Sequence, residues 1–304
     1  MSSPWIQALR SVALELPDLD KAEAFYTQVW KLSVVAREAG ALYLRGTGPD
    51  HHLLALHQGG AQAQIRHVTL RARSRQALDA IAHAALQAGG SIASPIAPLD
   101  DPAGGTGLTV RDPHGRLIQV VAGDRQHSDT GSSADSPDRP IRLAHAVLNA
   151  SDLPAAQAFF ERALGFRLVD RTRIMAFLNC DTDHHSIALG DTDNNALNHI
   201  AFLMPELDAV MRGGGRMKDA GHGIEWGPGR HGPGNNAFNY FIDPFGVVIE
   251  YTADVQQIDA DYPAGSPDDW TWPPGRVDQW GISAPPSARL KEAQRAVFFV
   301  PSAA

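Results

Sequence analysis

Apolar residues recur at helical spacing in two distant stretches of the chain. Leu19, Ala22, Tyr26 and Val29 follow the opening Leu16-Pro17-Asp18, and Leu153, Ala156, Phe160 and Ala163 follow Ala150-Ser151-Asp152. Asp18 and Asp152 stand where helix N-caps belong, and Gly165 is placed to end the second helix. Ile65–Arg71 reads as a strand. Ser74 then caps a helix bearing Leu78, Ile81, Ala82 and Leu86, with Gly89 as its stop. The matching helix, Glu206 to Ala220, contains Gly213-Gly214-Gly215. Each glycine costs a helix interior about 1 kcal/mol relative to alanine, so a break or kink is expected there.

These similarities extend to a repeat. The two helix openings are offset by 134 residues. Asp112-Pro113-His114-Gly115 and Asp243-Pro244-Phe245-Gly246, each followed by a strand-like apolar run, are offset by 131. His51-His52-Leu53-Leu54-Ala55-Leu56 pairs with His184-His185-Ser186-Ile187-Ala188-Leu189. Three collinear matches imply an ancestral duplication. One module spans 1–124 and the other 141–255. Residues 125–140, rich in Ser, Asp, Gly and Pro, read as a linker. Residues 256–304 hold Trp270, Trp272 and Trp280 among prolines, which predicts an extended arm with its indoles packed on the body. Within each module the order strand, helix, several strands occurs twice, an α+β pattern.

Composition narrows the function. The chain has 304 residues, 43% of them hydrophobic, which suits two globular domains. A net charge of −8 without a Lys/Arg-rich run argues against nucleic-acid binding. No apolar run is long enough to span a membrane, and residues 1–10 lack a signal-peptide pattern. Cys180 stands alone and is expected to be a small buried residue. These features lead to the expectation of a cytoplasmic protein. Histidine is abundant, with thirteen copies.

The duplication supplies an internal control. Positions needed only for folding should match between copies, whereas site positions can diverge. His145 stands where module one has Ser11, His199 where it has His67, and Glu250 where it has Gln119. A lone histidine in an apolar strand is usually a satisfied core residue. Here three neighbouring strands each supply one ligand type, and only module two has all three. Two imidazoles and a carboxylate suit Fe(II) or Mn(II) and leave coordination positions open. Zinc also accepts that set.

The residues resemble the vicinal oxygen chelate superfamily and, within it, the type I extradiol ring-cleavage dioxygenases. The most specific stretch is Gly229-Arg230-His231, Tyr240, Asp243-Pro244-Phe245-Gly246 and Glu250. The resemblance covers roughly 6–255 and is strongest over 143–251. It implies two tandem modules of paired βαβββ units, each an incomplete β-barrel around a central cleft, with the metal in the second. His145, His199 and Glu250 correspond to the ligands of Fe(II), with Mn(II) as the alternative ion. His185 corresponds to the acid–base group, and His231 and Tyr240 to hydrogen-bonding groups for substrate oxygens. The implied partners are a small aromatic diol and O2, and assembly is expected to be homo-oligomeric. The implied chemistry is cleavage beside the diol to a ring-opened semialdehyde.

Module one has Asp100 and Thr109 in place of His231 and Tyr240, but it keeps His52, so a His-His pair alone is not diagnostic. Asn239 departs from the family's apolar preference, and strand alternation puts it on the face opposite Tyr240. His222 and Glu225 have suitable chemistry but no matching register and are expected at the surface. A glyoxalase-like isomerase or hydrolase and a metal-free aromatic-binding protein are the rival readings.

Overall fold

The computed structural model describes residues 3–128 and 137–301. Part of the expected linker, residues 129–136, therefore lies outside the described residues. The first module runs β1 (Ile6–Leu16), α1 (Leu19–Ala24), β2 (Ser33–Glu38), β3 (Ala41–Arg45), β4 (Leu54–Gln58), β5 (Gln64–Ala72), α2 (Arg75–Gln87), β6 (Ser91–Pro98), β7 (Thr106–Arg111) and β8 (Leu117–Ala122). The second repeats it with β9 (Arg142–Ala150), α3 (Leu153–Leu164), β10 (Arg167–Arg171), β11 (Met175–Asn179), β12 (Ile187–Asp191), β13 (Leu197–Leu203), α4 (Leu207–Asp219), β14 (Trp226–Arg230), β15 (Ala237–Ile242) and β16 (Val248–Ala253).

Each module forms an unclosed eight-stranded sheet, in the orders β2-β3-β4-β1-β5-β8-β7-β6 and β10-β11-β12-β9-β13-β16-β15-β14. The βαβββ unit occurs twice in each. Its halves join through the antiparallel pairs β1–β5 and β9–β13. The caps fall where the sequence places them. Asp18, Ser74 and Asp152 accept from backbone N–H groups of the first helical turn, and Gly165 ends α3 in the left-handed region.

α4 corrects one expectation. It runs unbroken through all three glycines. A Cβ on Gly213 would lie 2.8 Å from the Tyr251 ring, and one on Gly214 would lie 2.9 Å from Asn239 Nδ2. The glycines let the helix settle close onto the sheet, and that packing offsets their poor helix propensity.

The modules share a core. Trp30, which ends the π-helical turn Phe25–Val29 that continues α1, stacks on Tyr251 of β16 with centroids 3.6 Å apart and touches Phe202 and Phe241. Tyr26 donates a 2.8 Å hydrogen bond to Asp243. Cys180 is buried.

The arm after β16 is not simply extended. It contains α5 (Ala288–Ala293) and makes isolated bridges from Gly265 to Asp170 and from Phe299 to Ile65. Trp270 packs as expected, but Trp272 and Trp280 stay over a third exposed. No helix among the described residues is long and apolar enough to cross a membrane.

Candidate active site

Register places the site side chains on one face of the second sheet. His145 of β9 pairs with Ala201 of β13, Ala201 with Glu250 of β16, and Glu250 with Tyr240 of β15. Directly paired residues point to the same face. His199 shares that face because it lies two residues from Ala201 on one strand. Ala201, in the middle of the row, is the one member without a polar side chain.

His145 Nε2 and His199 Nε2 converge on Glu250 Oε2 at 3.1 and 3.2 Å. Among the described residues this is the only group of His, Cys, Asp or Glu able to surround one ion, and its ligand atoms lie within 4.8 Å of one another. All three side chains are buried. Burial raises the Glu250 carboxyl, but the two imidazoles outweigh it and hold the group well below its ordinary value. Burial lowers His199, against the pull of Glu250.

The donor set fits a divalent cation for a local reason. Asn198 Oδ1 lies 2.8 Å from His199 Nδ1 and accepts its proton. The lone pair on His199 Nε2 then faces a carboxylate oxygen, which is unfavourable unless a cation lies between them. Sequence reasoning missed Asn198, which fixes this ring in the manner of an outer metal-site partner.

The other predicted residues gather around the triad. His185, just before β12, holds its ring centroid 4.5 Å from that of His145, with the planes tilted by 36°. Burial holds it well below an ordinary histidine, with His145 and His184 adding to the effect. His231, just after β14, packs on Phe238 and lies 3.0 Å from the Tyr240 hydroxyl. Burial pushes His231 down to about 4. Tyr240 rises well above an ordinary phenol through burial and the Glu250 charge. The arm covers the loop carrying His231: Gln279 donates to the carbonyls of His231 and Gly232, and Trp280 lies under the Arg230 guanidinium.

Asn239 faces away from Tyr240, as alternation predicts, and its amide lies against α4 at Val210. His222 and Glu225 are half-buried rather than at the surface. His222 packs edge-on against Phe25, and Glu225 holds Ser287 and Arg289 beside α5. Their contacts with other elements draw them inward.

The profile of the Glyoxalase/Bleomycin resistance protein/Dioxygenase superfamily matches residues 8–120 and 142–251, one stretch in each module. The chain belongs to this superfamily. Within it, the chain is 32% identical to metapyrocatechase 2 from Cupriavidus necator over 219 residues. That match covers 62% of this chain and 65% of the relative, just under two thirds of its length. A Mn(II)-bound glyoxalase from Novosphingobium aromaticivorans is 32% identical with a TM-score of 0.85, covering 95% of this chain and 94% of that one. A variant of homoprotocatechuate 2,3-dioxygenase from B. fuscum, in complex with HPCA, is 25% identical with a TM-score of 0.82, covering 92% and 80%.

Proposed function

We propose that this member of the superfamily is an extradiol dioxygenase that cleaves a catechol-type diol beside its hydroxyls. His145, His199 and Glu250 would hold Fe(II) or Mn(II). When bound there, the ion would supply Lewis-acid and electron-transfer chemistry for the reaction of the diol with O2. The observation carrying this reading is the placement of His185, His231 and Tyr240 around the triad. A simple metal-dependent isomerase does not need that set.

The remaining chemistry belongs to the chain's own side chains. His185 takes the proton of the second phenolic hydroxyl and returns it to an oxygen of the product. His231 and Tyr240 donate hydrogen bonds to oxygens that gain negative charge. The buried walls exclude water and keep those bonds strong. Both atoms of O2 enter the product and one ring carbon–carbon bond breaks, so no external reductant is needed.

Glyoxalase-like isomerisation is the second reading, favoured by the neighbour of that name aligned along 95% of the chain. Oxygen uptake separates the two. Anaerobically prepared, Fe(II)-loaded protein given a panel of catechols should consume one O2 per diol and form a coloured, pH-sensitive product. Verified metal with no uptake on any catechol, but with turnover of a hemithioacetal, would replace the dioxygenase reading with the isomerase.

A further inference from the structure

Both modules carry a His-His pair, and in both the two Nδ1 atoms face each other, at 3.1 Å for His51–His52 and 3.0 Å for His184–His185. Two N–H groups cannot share such a contact, so each pair holds one proton between its rings. Which ring supplies it depends on the far nitrogen of the first histidine.

In module two that nitrogen, His184 Nε2, lies 2.7 Å from Asp170 Oδ2. The buried carboxylate also accepts from the Tyr262 hydroxyl at 3.1 Å and, through Oδ1, from the Gly265 backbone N–H at 2.7 Å. With three donors around it, Asp170 acts as an acceptor and requires the His184 proton on Nε2. His184 Nδ1 is then a lone pair, which accepts from His185 Nδ1–H. The other nitrogen of His185, Nε2, is left bare in a ring beside His145.

In module one the far nitrogen, His51 Nε2, lies 3.2 Å from an Arg125 nitrogen. Arginine only donates. His51 therefore carries its proton on Nδ1 and donates to His52. The proton of His52 moves to Nε2, which faces Asp101 Oδ2 at 3.7 Å. Module one has Ala36 at the position of Asp170, since each pairs with the corresponding residue of the next strand, Tyr43 and Phe177.

We propose that Asp170, acting through His184, is a positioning residue that fixes the tautomer of His185 so that Nε2 is a ready proton acceptor. The same motif in module one is set to the opposite polarity. The catalytic consequence rests on the extradiol reading, but the tautomer does not. When His185 Nε2 takes the phenolic proton, the resulting imidazolium stays hydrogen-bonded through His184 to the Asp170 carboxylate, which offsets its charge. The arm is part of the device, because Tyr262 and Gly265 belong to it. A Cβ on Gly265 would lie 2.2 Å from Asp170 Oδ1, so the backbone approaches too closely for any side chain there.

Asp170→Asn tests this with a defined geometry. The Gly265 N–H still needs an acceptor, so the new carbonyl takes the Oδ1 position and the amide NH2 faces His184 Nε2. Every proton along the pair must then shift, and His185 Nε2 becomes an N–H. In a serine protease, the corresponding Asp-to-Asn change drops kcat on the order of 10⁴-fold through the wrong tautomer.

The readout is 15N NMR of the full chain with 15N-labelled histidine, freed of paramagnetic metal, together with steady-state kinetics of the Fe(II)-loaded enzyme. In the unmodified protein, His185 Nε2 should show a bare-nitrogen shift and His52 Nε2 a protonated one, in the same spectrum. Asp170→Asn should turn His185 Nε2 into the protonated type. It should also lower kcat by roughly 10³-fold or more, with metal content retained and KM changed by only a few fold. A protonated His185 Nε2 in the unmodified protein, or a doubly protonated His184, would overturn the proposal. So would a folded Asp170→Asn enzyme with kcat within about tenfold of its parent. If the variant does not fold, the unmodified spectrum decides alone. If no catechol is turned over, the extradiol reading fails while the nitrogen shifts still judge the relay.

Discussion

The two clefts are built on the same row of strand positions. Module one presents Ser11, Thr69, Gln119 and Thr109, and module two presents His145, Ala201, Glu250 and Tyr240. Module one differs by more than the replacement of His145 and Glu250 by Ser11 and Gln119. Its remaining histidine, His67, bonds through Nδ1 to the Thr69 hydroxyl at 3.1 Å, and that hydroxyl lies 3.3 Å from Gln119 Oε1. Ser11, His67, Thr69 and Gln119 line a cavity of about 190 Å³ beside Arg10 and Asp101. In module two Ala201 offers no hydroxyl. His199 turns its Nδ1 to Asn198 and keeps Nε2 for the cleft. A histidine becomes a metal ligand partly through what its other nitrogen does.

The largest effect comes from giving module two the residue of module one. Glu250→Gln keeps the shape and removes the one carboxylate charge of the proposed ligand set. Metal affinity should fall by at least about 100-fold, since outer partners alone are worth 10- to 100-fold, and oxygen uptake should fall to background. Metal content by mass spectrometry after dialysis checks it. A variant that keeps one tightly held ion would mean that Glu250 is not a ligand and that the contrast with Gln119 carries no chemistry.

Much of this contrast was legible in the sequence because the duplication supplied its own alignment. The offset of 134 placed Ser11 against His145 and that of 131 placed Gln119 against Glu250, with His67 against His199 between them at 132, and strand register agrees. Asp170 was not found, although the same comparison sets it against Ala36, because the edge strands lack a motif to anchor their alignment. Tyr262 and Gly265 were out of reach, since the arm has no counterpart in module one. Asn198 was missed because a side chain bonding its own neighbour leaves no periodic trace. The kink expected in α4 followed from propensity alone, whereas the size of Tyr251 opposite the helix decides the outcome.

The two Asp-Pro-X-Gly turns differ in a way that should show in stability. The Asp112 carboxylate of module one is matched by buried Arg116, while the Asp243 carboxylate is met by Tyr26 of the other module. Burial pushes Asp243 up to about 6, although the Tyr26 hydroxyl and the turn N–H groups oppose the rise. A carboxyl whose folded value lies above its unfolded value of 3.8 binds more protons when folded between those values. Its contribution is therefore most favourable below about pH 4, declines toward pH 6 and is least favourable above that. Tyr26→Phe removes a bond that favours the charged form, so its cost should grow with pH. We expect a loss of about 1 kcal/mol at pH 5 and about 2–3 kcal/mol at pH 8, read from denaturant titrations. Equal losses at both pH values would mean that Asp243 does not change charge between them.

The smallest effect separates the glycines of α4 from the matching helix of module one. The equivalent core positions there are Ile81 on the helix and the smaller Val120 on the strand. In module two they are Gly213 and the large Tyr251, so bulk has moved from helix to strand. Tyr251 cannot yield, because it stacks on Trp30 at 3.6 Å and donates to the Trp30 carbonyl at 2.8 Å. Gly213→Ala should therefore cost about 1–3 kcal/mol by overpacking. A Cβ on Gly215 would meet only open space. Gly215→Ala should instead add about 1 kcal/mol, the ordinary helix-interior difference. Opposite signs two residues apart in one helix, measured by chemical denaturation, would identify close approach as the reason for the first glycine and leave the third without a packing role. The same sign at both positions would return the run to a question of backbone propensity.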